Sequence, residues 1–167
     1  MPQTPVAYQT PVAYNPHDHS ACIAEALSNA QQLCRARGER LTALREKVLT
    51  LVLQSHRPLG AYDLLDALNK EGRKAAPPTI YRTLDFLQQA GLVHRIASLN
   101  AFMACLHPGK PHSGCFLICQ CCRNVLELDT RRVSQAIQDV SAEQGFSVAE
   151  ATVEVAGLCP LCKQAGV

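Results

Sequence analysis

The sequence contains no tryptophan, and aromatic residues make up only 5% of its 167 residues. Because 47% of the residues are apolar, the predicted core consists mainly of leucine, valine and alanine. Charged residues account for 18%, too few for a disordered polyelectrolyte. No apolar run approaches the roughly 18 residues that a membrane-spanning helix requires. The N-terminus also lacks a basic stretch followed by an apolar one, so we expect a cytoplasmic protein without a membrane partner.

Cysteine is the residue in excess, since the chain has nine and seven of them follow residue 100. An odd number in a chain without a secretory signal argues against a disulfide framework and favours metal ligation. Positive charge, in contrast, is concentrated in the first part of the chain. Residues 30–100 carry 11 Lys/Arg against 6 Asp/Glu, a net charge of +5, whereas the whole chain carries +2. A basic first part, compatible with a polyanionic partner, and a cysteine-rich second part predict two units with different roles.

The first part of the chain predicts a winged helix-turn-helix. Four prolines and few apolar side chains in residues 1–20 indicate a flexible tail. Four helical patterns follow, beginning at the capping residues Ser20 and Thr42, at Ala61 and at Pro77. Two short apolar runs then flank the polar turn at residues 98–100 and predict a hairpin. Helices followed by a hairpin give a winged helix over residues 21–105.

The second part predicts a smaller α+β unit over residues 114–167, after a Pro- and Gly-containing hinge at 106–113. Strands are expected at 116–118 and 125–128, and a helix at 131–144 capped by Thr130. The alternation of apolar residues predicts a last strand at 146–155. The order is therefore β-β-α-β, and the fold class of the whole chain is α+β.

Two Cys-x-x-Cys pairs form the most specific motif: Cys119 with Cys122, and Cys159 with Cys162, separated by 36 residues. Each pair presents two thiolates from a tight turn, and together they complete a tetrahedral four-sulfur zinc site. A redox Cys-x-x-Cys usually stands alone near a βαβ unit, which does not fit two pairs at strand ends. Cys121 offers a competing register, but its one-residue spacing from Cys119 is less favourable.

A second, mixed group of potential ligands is concentrated around the predicted hinge: His94, Cys105, His107, His112, Cys115 and Glu127. A mixed set of nitrogen, sulfur and oxygen ligands makes a more exchangeable site than four thiolates, as a metal sensor requires. Spacing alone leaves open whether these residues bind metal, because a histidine in a hairpin is more often an ordinary surface group.

The helix that begins at Pro77 carries the candidate DNA-reading residues. Tyr81 and Arg82 lie away from its apolar stripe, and an arginine near the start of a recognition helix is suited to bidentate contact with guanine. The alternative is a solvated surface arginine. Tyr62, at the start of the third helix, is a candidate for contact with a phosphate or thymine, or else an edge residue of the core.

Taken together, these motifs resemble the Fur superfamily of metal-dependent repressors and, within it, the zinc-uptake regulators (Zur). The resemblance covers residues from about 22 to 162. Its ordered motifs are Arg-Leu-Thr at 40–42 with Arg45, Ala-Tyr-Asp-Leu-Leu at 61–65, Pro-Thr-Ile-Tyr-Arg at 78–82, Gly-Leu-Val-His at 91–94 and the two cysteine pairs.

The resemblance implies a function and a role for each matching residue. The chain is expected to be a zinc-responsive repressor, not an enzyme, that binds a palindromic AT-rich DNA operator of zinc-uptake genes as a zinc-loaded homodimer. The implied structural zinc ligands are Cys119, Cys122, Cys159 and Cys162. The implied regulatory zinc ligands are His94, Cys105, His112 and Glu127, giving two Zn²⁺ per subunit. The implied DNA contacts are Tyr62, Thr79, Tyr81 and Arg82, and residues 114–167 form the dimerisation domain.

The sequence departs from the family pattern at a few positions. Ala43 replaces a usual proline, Gly60 replaces a frequent serine, and His107 is an alternative to His112 as a ligand. The absence of a His-rich run at 105–115, together with the thiol of Cys105, favours zinc over ferrous iron. The alternative functions are an iron or peroxide sensor of the same superfamily, a thiol-redox protein and a zinc-stabilised adaptor.

Overall fold

Six helices and five strands make up the part of the chain that the structure, a computed structural model, describes: residues 20–55, 57–110, 114–128 and 131–166. The first unit contains α1 (Ser20–Ala36), α2 (Ala43–Gln54), α3 (Ala61–Lys70), α4 (Pro77–Gln89), β1 (Val93–Ile96) and β2 (Ala101–Ala104). The second unit contains β3 (Gly114–Cys119), β4 (Val125–Glu127), α5 (Arg131–Glu143), β5 (Thr152–Gly157) and α6 (Pro160–Gln164). The predicted α+β class is confirmed, whereas the predicted tail before Ser20 lies outside the described residues.

The first unit is organised around α2, which packs against α1, α3, α4 and β2. Its core is aliphatic, as predicted, and includes Ala30, Val48, Leu64, Leu68, Ile80, Leu84 and Leu87. Each fully buried leucine or isoleucine of this kind contributes about 1.5–3 kcal/mol to folding. This core fixes the position of α4, whose opposite face is exposed to solvent.

The hairpin forms the wing, with β1 antiparallel to β2 and His94 opposite Met103. A short 3₁₀ turn, Ala97–Leu99, joins the two strands, and Asn100 closes it in the left-handed conformation with φ 47°. Leu59, in the segment between α2 and α3, pairs with Phe102 through two backbone hydrogen bonds of 2.9 and 2.8 Å. This pairing attaches the wing to the segment before α3.

Two predicted helix caps differ in the structure. Ser20 is the first residue of α1 instead of its cap, and the hydroxyl of Thr42 makes no capping hydrogen bond to α2. Before α3, the backbone N–H of Gly60 donates to Asp63 Oδ2 over 2.8 Å. The side chain of Asp63 therefore caps this helix start although Gly60 has no side chain to contribute. Thr130, the predicted cap of α5, lies outside the described residues.

The second unit is a three-stranded sheet in the order β4-β3-β5, in which β3 pairs antiparallel with β4 and parallel with β5. The last strand was predicted over 146–155, which is wrong because β5 covers Thr152–Gly157. The N–H of Phe146 donates to Ser141 O over 2.9 Å, and Gly145 is left-handed at φ 69°, so both residues close α5. Phe146 is consequently 68% exposed instead of paired in the sheet.

The wing packs directly on the sheet of the second unit. A second apolar cluster joins Ile96, Leu99 and Met103 of the wing to Phe116, Ile118 and Val125 of the sheet. The two units therefore share a small core in addition to the chain connection between β2 and β3. No helix of the described residues is long and apolar enough to cross a membrane.

Candidate metal centres and nucleic-acid interface

The two predicted Cys-x-x-Cys pairs converge on one point. The sulfur atoms of Cys119, Cys122, Cys159 and Cys162 all lie within 4.8 Å of one another. Cys122 Sγ is 3.8 Å from Cys159 Sγ. A tetrahedral zinc with Zn–S bonds of ~2.3 Å requires sulfur–sulfur edges of about 3.8 Å. The four thiols thus fit a closed, tetrahedral zinc site.

Sheet pairing brings the two cysteine pairs together. Cys119 ends β3 and is in register with Gly157, the last residue of β5, so each pair lies in the turn that follows its strand. Arg123 adopts the left-handed conformation at φ 62°, and its N–H donates to Cys119 O over 3.0 Å, which closes the first turn tightly. The N–H of Cys159 donates to Cys119 Sγ over 3.4 Å across the two turns.

The electrostatics of the four thiols favour a cation. Backbone N–H donation, first from the Cys159 position and then from Cys122, lowers the pKa of Cys119 to about 6. Hydrogen bonds with the side chain of Cys159 and then with that of Cys121 favour the protonated form of Cys162 and raise its pKa. A divalent cation lowers the pKa of the thiols that bind it and so allows all four sulfurs to ionise. Cys121, the competing register, is exposed and lies outside the four-sulfur group.

The second cluster joins the wing to the sheet. The ligand atoms of His94 in β1, Cys105 after β2 and Glu127 in β4 all lie within 4.8 Å of one another. His94 Nε2 is 3.0 Å from Glu127 Oε1, and the N–H of Leu106 donates to Glu127 Oε2 over 3.1 Å. The Glu127 side chain is only 1% exposed. A buried carboxylate needs such partners, because burial without them costs several kcal/mol.

The environment of Cys105 favours the protonated thiol. Burial raises its pKa to about 12, with a further contribution from the charge of Glu127, against a smaller lowering by the backbone N–H of His107. Ionisation of this thiol therefore requires a cation within bonding distance. Imidazole, thiolate and carboxylate are all accepted zinc ligands, so the three residues fit a mixed zinc site.

The remaining candidate ligands fall in two groups. His112 lies outside the described residues, so its predicted role remains a prediction. His107 and Cys115 are described, yet among residues 20–55, 57–110, 114–128 and 131–166 no further His, Cys, Asp or Glu joins His94, Cys105 and Glu127 within 4.8 Å. The described residues thus supply three of the four ligands that a tetrahedral site uses.

The predicted DNA-reading residues lie on solvent-exposed helix surfaces. On α4, Ile80 and Leu84 are buried, whereas Thr79 and Arg82 are exposed and Tyr81 is 41% exposed. Tyr62, at the start of α3, is 65% exposed, which excludes the alternative that it is an edge residue of the core. The exposed face of α4 therefore presents hydrogen-bond donors outwards, as a recognition helix must.

A side chain of α2 also helps to fix the orientation of α4. The Arg45 guanidinium lies 3.4 Å from the centroid of the Phe86 ring, and Arg45 Nη1 donates to Arg40 O over 2.7 Å. This cation–π contact packs the motif residue Arg45 of α2 against Phe86 of α4 and so supports the helix.

Glu154 is a site residue that the sequence did not indicate. Its carboxylate in β5 accepts hydrogen bonds from the N–H groups of Ala97 and Ser98, in the turn of the wing, over 2.6 and 3.0 Å. Nothing in the local sequence marks this contact, because it depends on how the wing packs on the sheet.

Comparison with known proteins identifies relatives that match most of the chain. The model of the ferric uptake regulator family matches residues 36–156. The zinc uptake regulation protein of Escherichia coli (strain K12) is 37% identical over 139 residues, which span 83% of this chain and 81% of the relative. A zinc uptake regulator solved in complex with zinc and DNA superimposes with a TM-score of 0.82 at 35% identity, covering 86% of this chain and 97% of the other. The structure of holo XcZur gives a TM-score of 0.77 at 40% identity, covering 84% and 98%.

Proposed function

This chain belongs to the ferric uptake regulator family, and we propose that it is a zinc-responsive repressor that binds DNA as a zinc-loaded homodimer and controls zinc-uptake genes. The observation that carries the proposal is the cluster of His94, Cys105 and Glu127, because its residues come from both the wing and the sheet. Ligation across this boundary couples metal occupancy to the position of the DNA-binding unit. The names of the zinc-regulator relatives support the same conclusion.

We assign different roles to the two metal centres. The four cysteines hold the two turns at the ends of β3 and β5, so they stabilise the dimerisation domain as a structural site. The mixed cluster is the regulatory site, with His112 as the proposed fourth ligand, which gives two Zn²⁺ per subunit. Zinc, when bound, supplies a divalent charge that allows the buried thiol of Cys105 to ionise. His94 and Glu127 then hold the wing against the sheet.

In this proposal the exposed face of α4 reads the operator. Arg82 contacts a base in the major groove, while Thr79, Tyr81 and Tyr62 contact phosphates or bases nearby. A dimer presents two copies of α4 to successive major grooves of a palindromic, AT-rich site, about one helical turn apart. Two such contacts fit the groove only if both wings adopt the same position, which is how zinc occupancy controls affinity.

Exposed apolar residues support a homodimer. Leu117 and Val155 are partners in the pairing of β3 with β5, and they are 39% and 46% exposed. Val140, Phe146, Leu158 and Leu161, all in the second unit, are also exposed. Apolar side chains in such number on one small unit indicate a surface that is covered by a partner. We therefore keep residues 114–167 as the dimerisation domain, 21–105 as the DNA-binding domain and 106–113 as the hinge of a cytoplasmic regulator.

Zinc is the metal that the donors favour over ferrous iron. Cys105 offers a soft thiolate, and the described part of the mixed cluster contains one histidine. Thiolate ligands select zinc, whereas oxygen and nitrogen ligands suit ferrous iron. A thiol-redox role is disfavoured because the two cysteine pairs form one four-sulfur group instead of an isolated pair.

The test is DNA binding at controlled free zinc. Duplexes selected from a random pool by the zinc-loaded protein are labelled, and fluorescence anisotropy is recorded across buffered free zinc and, separately, free ferrous iron. We expect affinity to rise steeply with zinc and to be lost with a chelator. Sequence-specific binding that is independent of zinc, or that responds to ferrous iron alone, contradicts the proposal.

A further inference from the structure

Glu154 links the two units at the tip of the wing. Its two carboxylate oxygens accept from the backbone N–H groups of Ala97 and Ser98, at 2.6 and 3.0 Å. These two residues begin the 3₁₀ turn of the wing, and Ile96, which precedes the turn, supplies no side-chain cap. The first N–H groups of a helical turn have no partner within the turn. A side chain from the sheet therefore performs the capping that the local sequence does not.

The bonds that reach this carboxylate are charge-assisted. Burial alone raises the pKa of Glu154, but donation from the Ser98 hydroxyl and from the backbone N–H groups of Ser98 and Ala97 outweighs it and lowers the pKa. Hydrogen bonds from backbone N–H groups to an ionised carboxylate are shorter and stronger than neutral ones, consistent with the 2.6 Å contact.

Sheet register places this contact in line with the regulatory cluster. Phe116 in β3 is the pairing partner of Glu127 in β4 and also of Glu154 in β5. The three side chains therefore form one row across a single face of the sheet. Glu127 contacts His94, the Phe116 ring lies edge-on to the His94 ring at 5.2 Å, and Glu154 contacts the wing tip.

We propose that Glu154 is a positioning residue that holds the wing against the sheet in the arrangement that brings His94 and Cys105 to Glu127. It thereby lowers the free zinc concentration at which the regulatory site fills. This inference rests on the proposed function for its biological meaning, but the contact is testable without it. The apparent affinity of a site falls in proportion to the fraction of molecules in the competent arrangement.

The experiment compares wild type with Glu154→Ala, Glu154→Gln and the control Glu150→Gln, an exposed glutamate in the loop before β5. Amide hydrogen exchange at Ala97 and Ser98 reports the contact itself, in full-length protein with the four-cysteine zinc retained. We expect at least about tenfold faster exchange at both amides in Glu154→Ala, an intermediate effect in Glu154→Gln and none in Glu150→Gln. Unchanged exchange in Glu154→Ala overturns the proposal.

The functional arm measures the zinc midpoint of the regulatory site and of operator binding. We expect both midpoints to rise about 3- to 10-fold in Glu154→Ala, with dimer mass unchanged and operator affinity restored at saturating zinc. An unchanged zinc midpoint, or operator binding that is lost even at saturating zinc, overturns the positioning role. If wild type itself shows no zinc-dependent DNA binding, the proposed function fails, while the exchange data and the zinc midpoint still decide the role of Glu154.

Discussion

His94 Nε2 lies 3.0 Å from Oε1 of Glu127, although the histidine belongs to the wing and the glutamate to the sheet of the second unit. The contact joins the two units at a buried carboxylate, and the thiol of Cys105 lies beside it. Besides this contact, the wing is attached to the sheet by Ile96, Leu99 and Met103 and by Glu154. The position of the first unit is therefore set by a few contacts, and in the proposed function those of His94, Cys105 and Glu127 are the ones that respond to zinc.

The first prediction concerns the four-cysteine centre. Cys159→Ser removes one of four thiolates, so we expect the loss of one tightly bound zinc per subunit and a less stable dimer. Native mass spectrometry gives both the zinc content and the dimer mass. The matched control is Cys121→Ser, an exposed neighbour outside the group of four, which should keep both. A Cys159→Ser protein with full zinc content and an intact dimer would contradict the assignment of the four cysteines as a zinc site.

The second prediction concerns base recognition by α4. Arg82→Ala should weaken binding to the operator by about 1–3 kcal/mol while hardly changing binding to random DNA, because a base contact is lost. Arg131→Ala, which removes an equal charge from the exposed start of α5, should change neither. Equal weakening on both DNAs would make Arg82 a phosphate contact, and no weakening on either would remove it from the interface.

The third prediction concerns the support of His94. A Cβ at Gly114 would lie 2.7 Å from Cε2 of Phe116, whose ring contacts that of His94. Because Phe116 is buried, Gly114→Ala should lower the free energy of unfolding by about 1–3 kcal/mol. It should also raise the zinc midpoint of the regulatory site. Denaturant unfolding and zinc titration measure these effects.

Gly157→Ala is the control for this change, since a Cβ at Gly157 in the neighbouring strand meets nothing within 4 Å. We expect its stability and its zinc midpoint to remain close to wild type. If Gly114→Ala behaves in the same way as Gly157→Ala, the Phe116 ring does not position His94.

The features that could be predicted from the sequence are those that a short stretch of residues determines. The cysteine pairs were readable because a two-residue spacing encodes a ligand turn, and the helices because apolar periodicity encodes a buried face. The last strand was misplaced by six residues at its start because Phe146 and Val148 continue the alternation. The helix-closing bonds of Gly145 and Phe146 prevent a strand there.

The features that could not be predicted from the sequence depend on how distant strands pair in the sheet. One row of side chains forms only when β3 pairs with both of its neighbours, and it consists of Glu127, Phe116 and Glu154. No local sequence pattern predicts this row. Spacing alone could not decide whether the mixed cluster binds metal, because its residues are distant in sequence. The resemblance to a family, instead of the pattern itself, selected His94, Cys105, His112 and Glu127 from six candidates.

The most direct test of the central claim is the zinc dependence of operator binding by Cys105→Ser, measured together with its zinc content. The proposed function predicts an intact dimer that keeps the four-cysteine zinc, binds one zinc per subunit where wild type binds two, and no longer binds the operator in response to zinc. An unchanged wild-type zinc midpoint in Cys105→Ser would contradict it, because zinc would then be sensed somewhere other than the contact between wing and sheet.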